Sequence, residues 1–279
     1  MLSDSTPLIV ASGERPDQDY VRQYSADFVS RWDELIDWNK RAESEGAFFT
    51  DLLLRTGACR VFDASTGSGF HAVQLRRAGF DVTACDGSPT MVRRAKANFA
   101  SRGLDIPIIC QDWRDLDPQR LGAFDAVLCL GSSLCHLFQQ SERVEVLQRF
   151  GQLLRPGGML LIDQRNFQAI LAGYFSSSGR YDSCGKTASV TLGELSPSLC
   201  EFVYTFADGV RHSLSVFPIL PGVLREELAL AGFVVDSSYG DFKRVYDPLR
   251  ADFIIHQATA AGGLNQEGGV HERSGPQRF

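Results

Sequence analysis

The chain has 279 residues, with 28 Lys and Arg against 34 Asp and Glu, and a formal net charge of −6. That length suits one large domain or two closely joined ones. A composition 44% hydrophobic and 22% charged is ordinary globular material, neither disordered nor collagen-like. An acidic chain with no long basic run argues against nucleic acid as partner, and no stretch reaches the ~18–20 apolar residues of a membrane span.

Seven cysteines stand at 59, 85, 110, 129, 135, 184 and 200, with no C-x-x-C spacing. Neither a disulfide framework nor a zinc site is expected. Cys85 in VTACD and Cys129 in AVLCLG sit in apolar runs and read as small core residues. An acid precedes any base at the N-terminus, so no secretory signal is expected. The expectation is a reduced, cytoplasmic protein.

Residues 1–19 are polar, with Pro and Gly, and read as a flexible N-terminus. From Tyr20 to Arg55 the pattern is helical. Tyr24, Phe28, Trp32, Leu35 and Trp38 recur at intervals of three and four, as on one helix face. Strands and helices then alternate. Strands are expected at Arg60–Ala64, Phe80–Cys85, Pro107–Cys110, Phe124–Leu130 and Met159–Asp163. Helices are expected at Gly69–Ala78, Pro89–Ala100 and Glu142–Leu154, the last ended by Arg155-Pro156-Gly157-Gly158. This rhythm implies a parallel sheet covered on both faces. After Arg165 it changes. Thr187–Leu192, Cys200–Phe206 and Val210–Phe217 read as strands without helices between them, with Asp208-Gly209 as a hairpin signal. A helix at Val223–Ala231 and strands at Val234–Tyr239 and Phe253–His256 follow. The Gly-rich tail, 259–279, is expected to be disordered.

The sharpest local feature is Asp63-Ala64-Ser65-Thr66-Gly67-Ser68-Gly69, between a strand and a helix. Two glycines let the chain turn tightly and let a ligand approach the main chain. Asp86, 17 residues past Gly69, ends the next strand. A carboxylate there suits a ribose diol, because it accepts from both hydroxyls. Gly67-x-Gly69-x-x-Ala72 also fits a loose dinucleotide fingerprint, so an NAD-dependent oxidoreductase is an alternative. Against it, Asp63 would repel a pyrophosphate.

These residues, with Asp112-Trp113, FDAVLCLG and LRPGG, resemble the class I S-adenosylmethionine-dependent methyltransferases. The resemblance implies an α/β fold: a doubly wound, mostly parallel seven-stranded, Rossmann-like sheet, its last strand antiparallel. Trp32 through Phe49, Gly67 through His71, Cys129 through Leu137, DQRNF at 163–167 and YGDFK at 239–243 narrow it. Together they resemble the glycine/sarcosine N-methyltransferases of glycine betaine synthesis. The implied activity converts glycine to sarcosine and sarcosine to N,N-dimethylglycine in osmoprotection. The implied division is a cofactor domain over 20–165 and 219–258, with an antiparallel substrate cap at 166–218.

The resemblance also implies roles. Tyr24, Trp32 and Arg41 from the N-terminal segment would cover S-adenosyl-L-methionine, Arg41 meeting its carboxylate. Tyr20 competes with Tyr24 for its place. Ser65 and Gly67 would approach the methionine part, Asp86 the ribose, Asp112 and Trp113 the adenine, with Leu130 closing the side. S-adenosyl-L-homocysteine would be the by-product, and no metal is expected. Arg165, Ser132 and Tyr239 would bind the small amino-acid substrate. A guanidinium suits the substrate carboxylate through two parallel hydrogen bonds, although an exposed arginine paired with a nearby acid has the same appearance in sequence. No general base is expected. His136 is open between a catalytic and a supporting role. Oligomeric state is left open.

Three departures from the family pattern bear on the substrate. Ser132 stands where relatives carry Asn. Phe167 replaces a Tyr, and Val216-Phe217 replaces tyrosines of the vertebrate enzymes. A preference for sarcosine or dimethylglycine, or a cofactor-binding protein without catalysis, are the readings these departures open.

Overall fold

A computed structural model describes residues 19–175, 187–243, 247 and 250–261. The expected N-terminal flexible segment and the disordered tail lie almost wholly outside those residues, as does Cys184.

The N-terminal helical pattern folds as five short helices rather than one: α1 (Asp19–Gln23), α2 (Ala26–Ser30), α3 (Trp32–Leu35), α4 (Trp38–Glu45) and α5 (Phe48–Arg55). The apolar spacing is right, but polar caps interrupt it. Ser25 accepts from the Phe28 N–H and starts α2, and Asp37 accepts from the Asn39 and Lys40 N–H groups and starts α4. Gly46 ends α4 with φ at 55°.

The alternating region follows as β1 (Arg60–Asp63), α6 (Phe70–Arg77), β2 (Asp81–Asp86), α7 (Pro89–Ser101), β3 (Ile108–Cys110), α8 (Pro118–Leu121), β4 (Phe124–Cys129), α9 (Gln140–Leu153) and β5 (Leu154–Arg165). Ser88 caps α7 and Pro89 opens its first turn, where no N–H is needed. β5 starts earlier than expected, because α9 runs straight into it. Leu154 pairs with Phe124 and Met159 with Ala126, so the Arg155–Gly158 turn is an irregularity within the strand. A short helix α10 (Phe167–Leu171) leads to β6 (Ala188–Ser196), β7 (Leu199–Phe206) and β8 (Arg211–Val216). The last described elements are α11 (Pro221–Leu230), β9 (Phe233–Gly240) and β10 (Phe253–Ala260). β10 reaches two residues into the expected tail, because Thr259 pairs with both Met159 and Val234.

The main sheet has seven strands in the order β3-β2-β1-β4-β5-β10-β9, with β10 antiparallel to both neighbours. α5, α6 and α7 bury Leu53, Val73 and Phe99 on one face, and α9 and α11 bury Phe150 and Leu228 on the other. β6, β7 and β8 form a separate antiparallel sheet. Phe202, Tyr204 and Phe206 alternate along β7 and so share a face. Phe28 of α2 lies 5.5 Å from Tyr204 between ring centroids, which seats the N-terminal helices against the cap. No helix among the described residues is long and apolar enough to cross a membrane.

One buried ion pair ties α9 to α11. Arg143 and Glu227 side chains are 2% and 0% exposed and meet at 2.7 Å, with Arg143 also donating to the Leu137 and Phe138 carbonyls. Glu227→Gln leaves a buried guanidinium without its countercharge. The expected cost is about 3–5 kcal/mol of unfolding free energy, measured by urea denaturation.

Candidate active site

The chain turns at the C-terminal edge of β1, β2 and β4, where the sequence order of the strands reverses. Clefts at such a switch point are the usual ligand sites of open α/β sheets. Gly67 and Gly69 have φ of 54° and 95°. A Cβ at Gly69 would come within 2.5 Å of the Phe99 ring, while the space at Gly67 is open. The first glycine therefore leaves room for a ligand, and the second lets α6 pack on α7. The Ser65 hydroxyl donates to the Leu130 carbonyl at 2.8 Å and accepts from the Leu130 N–H at 2.9 Å. It staples the turn after β1 to the end of β4.

Tyr24, Trp32, Arg41, Ser65, Gly67, Asp86, Asp112, Trp113 and Leu130 all line one cleft. Tyr20 lines it as well. Both tyrosines thus face the cleft, with different partners. The Tyr20 hydroxyl donates to Asp112 Oδ2 at 2.9 Å, and the Tyr24 hydroxyl meets His136 Nε2 at 3.0 Å.

The acids of this cleft are tuned differently. Burial pushes the Asp86 carboxyl up to about 6, although the Ser88 and Gly67 N–H groups bond to it at 2.8 Å and pull the other way. Burial also pushes Asp63 up, against the opposing pull of His71, the Thr66 hydroxyl and the Ser65 N–H. Burial alone would raise Asp112 too. There the Arg114 side chain and N–H, with Tyr20, more than offset burial and hold the carboxyl below its usual value. Trp113 donates from Nε1 to the Ala64 carbonyl at 2.6 Å, so its ring is fixed as a wall.

A second cleft adjoins the first, sharing Tyr24, Trp32, Arg41, Gly131 and His136. Ser132 and Arg165 line it. Arg165 has no acid within ion-pair distance among the described residues. Its guanidinium instead lies over the rings of Phe253, Phe202 and Phe175, at 4.9, 5.2 and 5.9 Å. Ser132 accepts the Arg165 N–H at 2.8 Å, and its own N–H donates to Asp163 Oδ1 at 2.8 Å. Its hydroxyl hydrogen is not used by those bonds.

Tyr239 does not line either cleft. Its hydroxyl donates to Gln257 at 3.1 Å across β9 and β10, and its ring packs edge-on against Phe48. The strand pairing holds it there, and Phe242 and Phe253 border the second cleft in its place. Of the departures, Ser132 and Val216 face that cleft, whereas Phe167 is fully buried in the core and Phe217 packs against Phe138.

Sequence reasoning missed Glu45, Asp163, Phe202, Tyr204, Phe242 and Phe253 as lining residues of the second cleft. The alternation in CEFVYTF carried a signal for Phe202 and Tyr204. Glu45 carried none. It accepts from Arg41 Nε at 2.6 Å and bonds His71 Nε2 at 2.9 Å. Burial would raise its carboxyl, but Arg41 and His71 hold it down at about 2. Glu45→Gln is expected to loosen Arg41 and weaken cofactor-analogue binding about tenfold. The folded value lies below the ordinary 4.5, so the stability Glu45 adds is complete above 4.5 and is lost as pH falls towards about 2. Melting curves of the two proteins should therefore converge in acid.

A family model described as a methyltransferase domain matches residues 61–158. A glycine/sarcosine N-methyltransferase of Halorhodospira halochloris is 42% identical over 239 residues, 86% of this chain and 89% of that protein. Another, of Aphanothece halophytica, is 39% identical, covering 88% of this chain and 95% of the relative. The chain belongs to the glycine/sarcosine N-methyltransferase family. A solved S-adenosylmethionine-dependent methyltransferase of Clostridium acetobutylicum shares the fold, with a TM-score of 0.68 at 15% identity over 85% of this chain and 98% of that one.

Proposed function

We propose that this chain is an enzyme that transfers a methyl group from S-adenosyl-L-methionine to the amine of glycine, giving sarcosine, and of sarcosine, giving N,N-dimethylglycine. That chemistry suits the synthesis of glycine betaine as a compatible solute. The observation that carries the reading is the pair of adjoining clefts. One has a glycine turn and Asp86, the other an arginine without an acid partner, and they meet at Tyr24, Gly131 and His136.

The residues present fit the cofactor. Gly67 leaves open space beside the main chain, and Asp86 is an acceptor for a diol. Two buried acids, Asp63 and Asp86, favour a ligand without phosphate, which weighs against NAD. When bound, S-adenosyl-L-methionine supplies an electrophilic methyl on a positively charged sulfur. Asp86 would hold the ribose, Asp112 and Trp113 the adenine end, and Arg41 the carboxylate. Tyr24 and Trp32 would exclude water from above.

Arg165 would grip the amino-acid carboxylate, with the Ser132 hydroxyl beside it. His136 is a poor base, because burial pushes its imidazole down to about 4. Its Nδ1 is buried without a partner among the described residues. A neutral imidazole fixed by Tyr24 suits orientation of the amine rather than removal of its proton. Rate would then come mainly from alignment of the reactants. The six cysteines among the described residues are free, which supports a reducing, cytoplasmic setting.

The test is product identity by mass spectrometry from glycine, sarcosine and dimethylglycine separately. Sarcosine and dimethylglycine are the expected products from glycine. Turnover of none of the three overturns the proposal. Tight binding of NADH in place of S-adenosyl-L-homocysteine would favour an oxidoreductase.

A further inference from the structure

Among the described residues, the non-glycine positions with positive φ are Ser132 at 59°, Asp241 at 52° and Phe242 at 57°. Left-handed backbone is unfavourable for L residues, most of all for a bulky one such as phenylalanine. It persists where the surroundings over-determine it, often at a functional site. All three positions converge on Arg165.

Ser132 accepts the Arg165 N–H. Asp241 Oδ1 accepts from the Asp252 N–H at 2.8 Å and the Phe253 N–H at 3.0 Å, and the Asp241 N–H donates to the Phe253 carbonyl at 3.0 Å. Phe253 stands opposite Arg165 in the β5–β10 register, and its ring lies 4.9 Å from the guanidinium carbon. The Phe242 ring leans on Phe253 with centroids 5.9 Å apart, and both rings border the second cleft. The YGDFK motif therefore reaches the site through Asp241 and Phe242, not through Tyr239.

We propose that the strained Asp241–Phe242 turn positions Arg165. Asp241 pins the start of β10, and Phe242 braces Phe253, whose ring, with those of Phe202 and Phe175, is the floor on which the guanidinium rests. Attraction to the ring faces holds the arginine without an acid competing for its donors. The fork is thus aimed before substrate arrives. This matters for a substrate of few atoms, whose binding offers little free energy to reorder a long side chain. Asp241 and Phe242 are positioning residues, acting through Phe253 and Arg165.

The inference rests on Arg165 as the carboxylate clamp, so Arg165→Ala is measured beside it. The full chain carries Phe242→Ala, Phe242→Leu, Asp241→Ala or Asp241→Asn. Steady-state kinetics with glycine and sarcosine, S-adenosyl-L-homocysteine titration and thermal melting are recorded for each. Phe242→Ala and Asp241→Ala are expected to raise the amino-acid KM about tenfold, with kcat and analogue affinity nearly unchanged. Phe242→Leu keeps apolar bulk, and Asp241→Asn keeps the acceptor and tolerates the backbone, so both should recover most of the loss.

If Arg165→Ala raises KM while neither alanine variant at the turn does, the positioning role is wrong and the clamp stands. If Arg165→Ala leaves KM unchanged, the clamp reading fails and this inference falls with it. If the turn variants lose analogue affinity and melting temperature in step with KM, and the conservative variants recover nothing, the turn is structural only and the proposal is overturned.

Discussion

Arg165→Ala is expected to lower kcat/KM for glycine about 30-fold or more while leaving S-adenosyl-L-homocysteine affinity within about twofold. Removing one partner of a desolvated, charge-assisted pair costs about 2–5 kcal/mol, and each 1.4 kcal/mol is about tenfold. Glycine has one carboxylate and no side chain, so no other contact replaces that grip. A chain with a net charge of −6 does not draw in an anionic end by its overall field. Capture must be local, and Arg165 lines the second cleft with no acid within ion-pair distance among the described residues. Arg165→Lys keeps the charge but loses the fork, so an intermediate value is expected. Parallel loss of substrate and analogue binding would contradict the assignment, because Arg165 does not line the first cleft.

The first cleft was legible in the sequence because its residues are close in sequence to the turns that aim them. Asp86 ends a strand, Gly67 follows one, and Asp112 starts the short turn after β3. A strand–turn–helix unit fixes where such residues point. The second cleft was less legible, because its walls come from separate parts of the chain. Phe202 and Tyr204 belong to the cap, and nothing local says that its aromatic face turns inward. Glu45 and His71 are 26 residues apart and meet only when α4 lies across α6. Tyr239 shows the opposite error. Its motif is specific, but a motif places a segment, and the strand pairing decides which side chain faces the substrate. The N-terminal helices failed in a third way. Their apolar period was correct, yet Ser25 and Asp37 are better caps than helix-interior residues, so the segment breaks where they stand.

Asp86→Asn should act on the other reactant, weakening S-adenosyl-L-homocysteine by about 10–100-fold with the amino-acid KM little changed at saturating cofactor. The effect is linked to pH, and its sign can be worked out. Burial lifts the Asp86 carboxyl from 3.8 to about 6 in the folded chain. A diol donates to the ionised form, so analogue affinity should be flat above about 7. It should fall as pH drops through 6, by at most about tenfold per unit. Stability runs the other way. A raised carboxyl means that folding favours the protonated form, so its contribution is complete below about 4 and is lost as pH rises through 6. Binding and melting should therefore slope in opposite directions where Asp86 titrates, with Asp163 adding to the melting slope. Asp163 is also lifted to about 6 by burial, but it lines the second cleft and bonds the Ser132 N–H. It remains in the Asn variant. Any slope left in analogue binding after Asp86→Asn belongs to Asp163 or another group, and the difference between the two titrations isolates Asp86. Calorimetric titration at pH 5.5 and 7.5 in two buffers would count the proton released on binding. An affinity that does not change between those conditions in the unsubstituted enzyme would show that the Asp86 carboxylate is not the ribose acceptor.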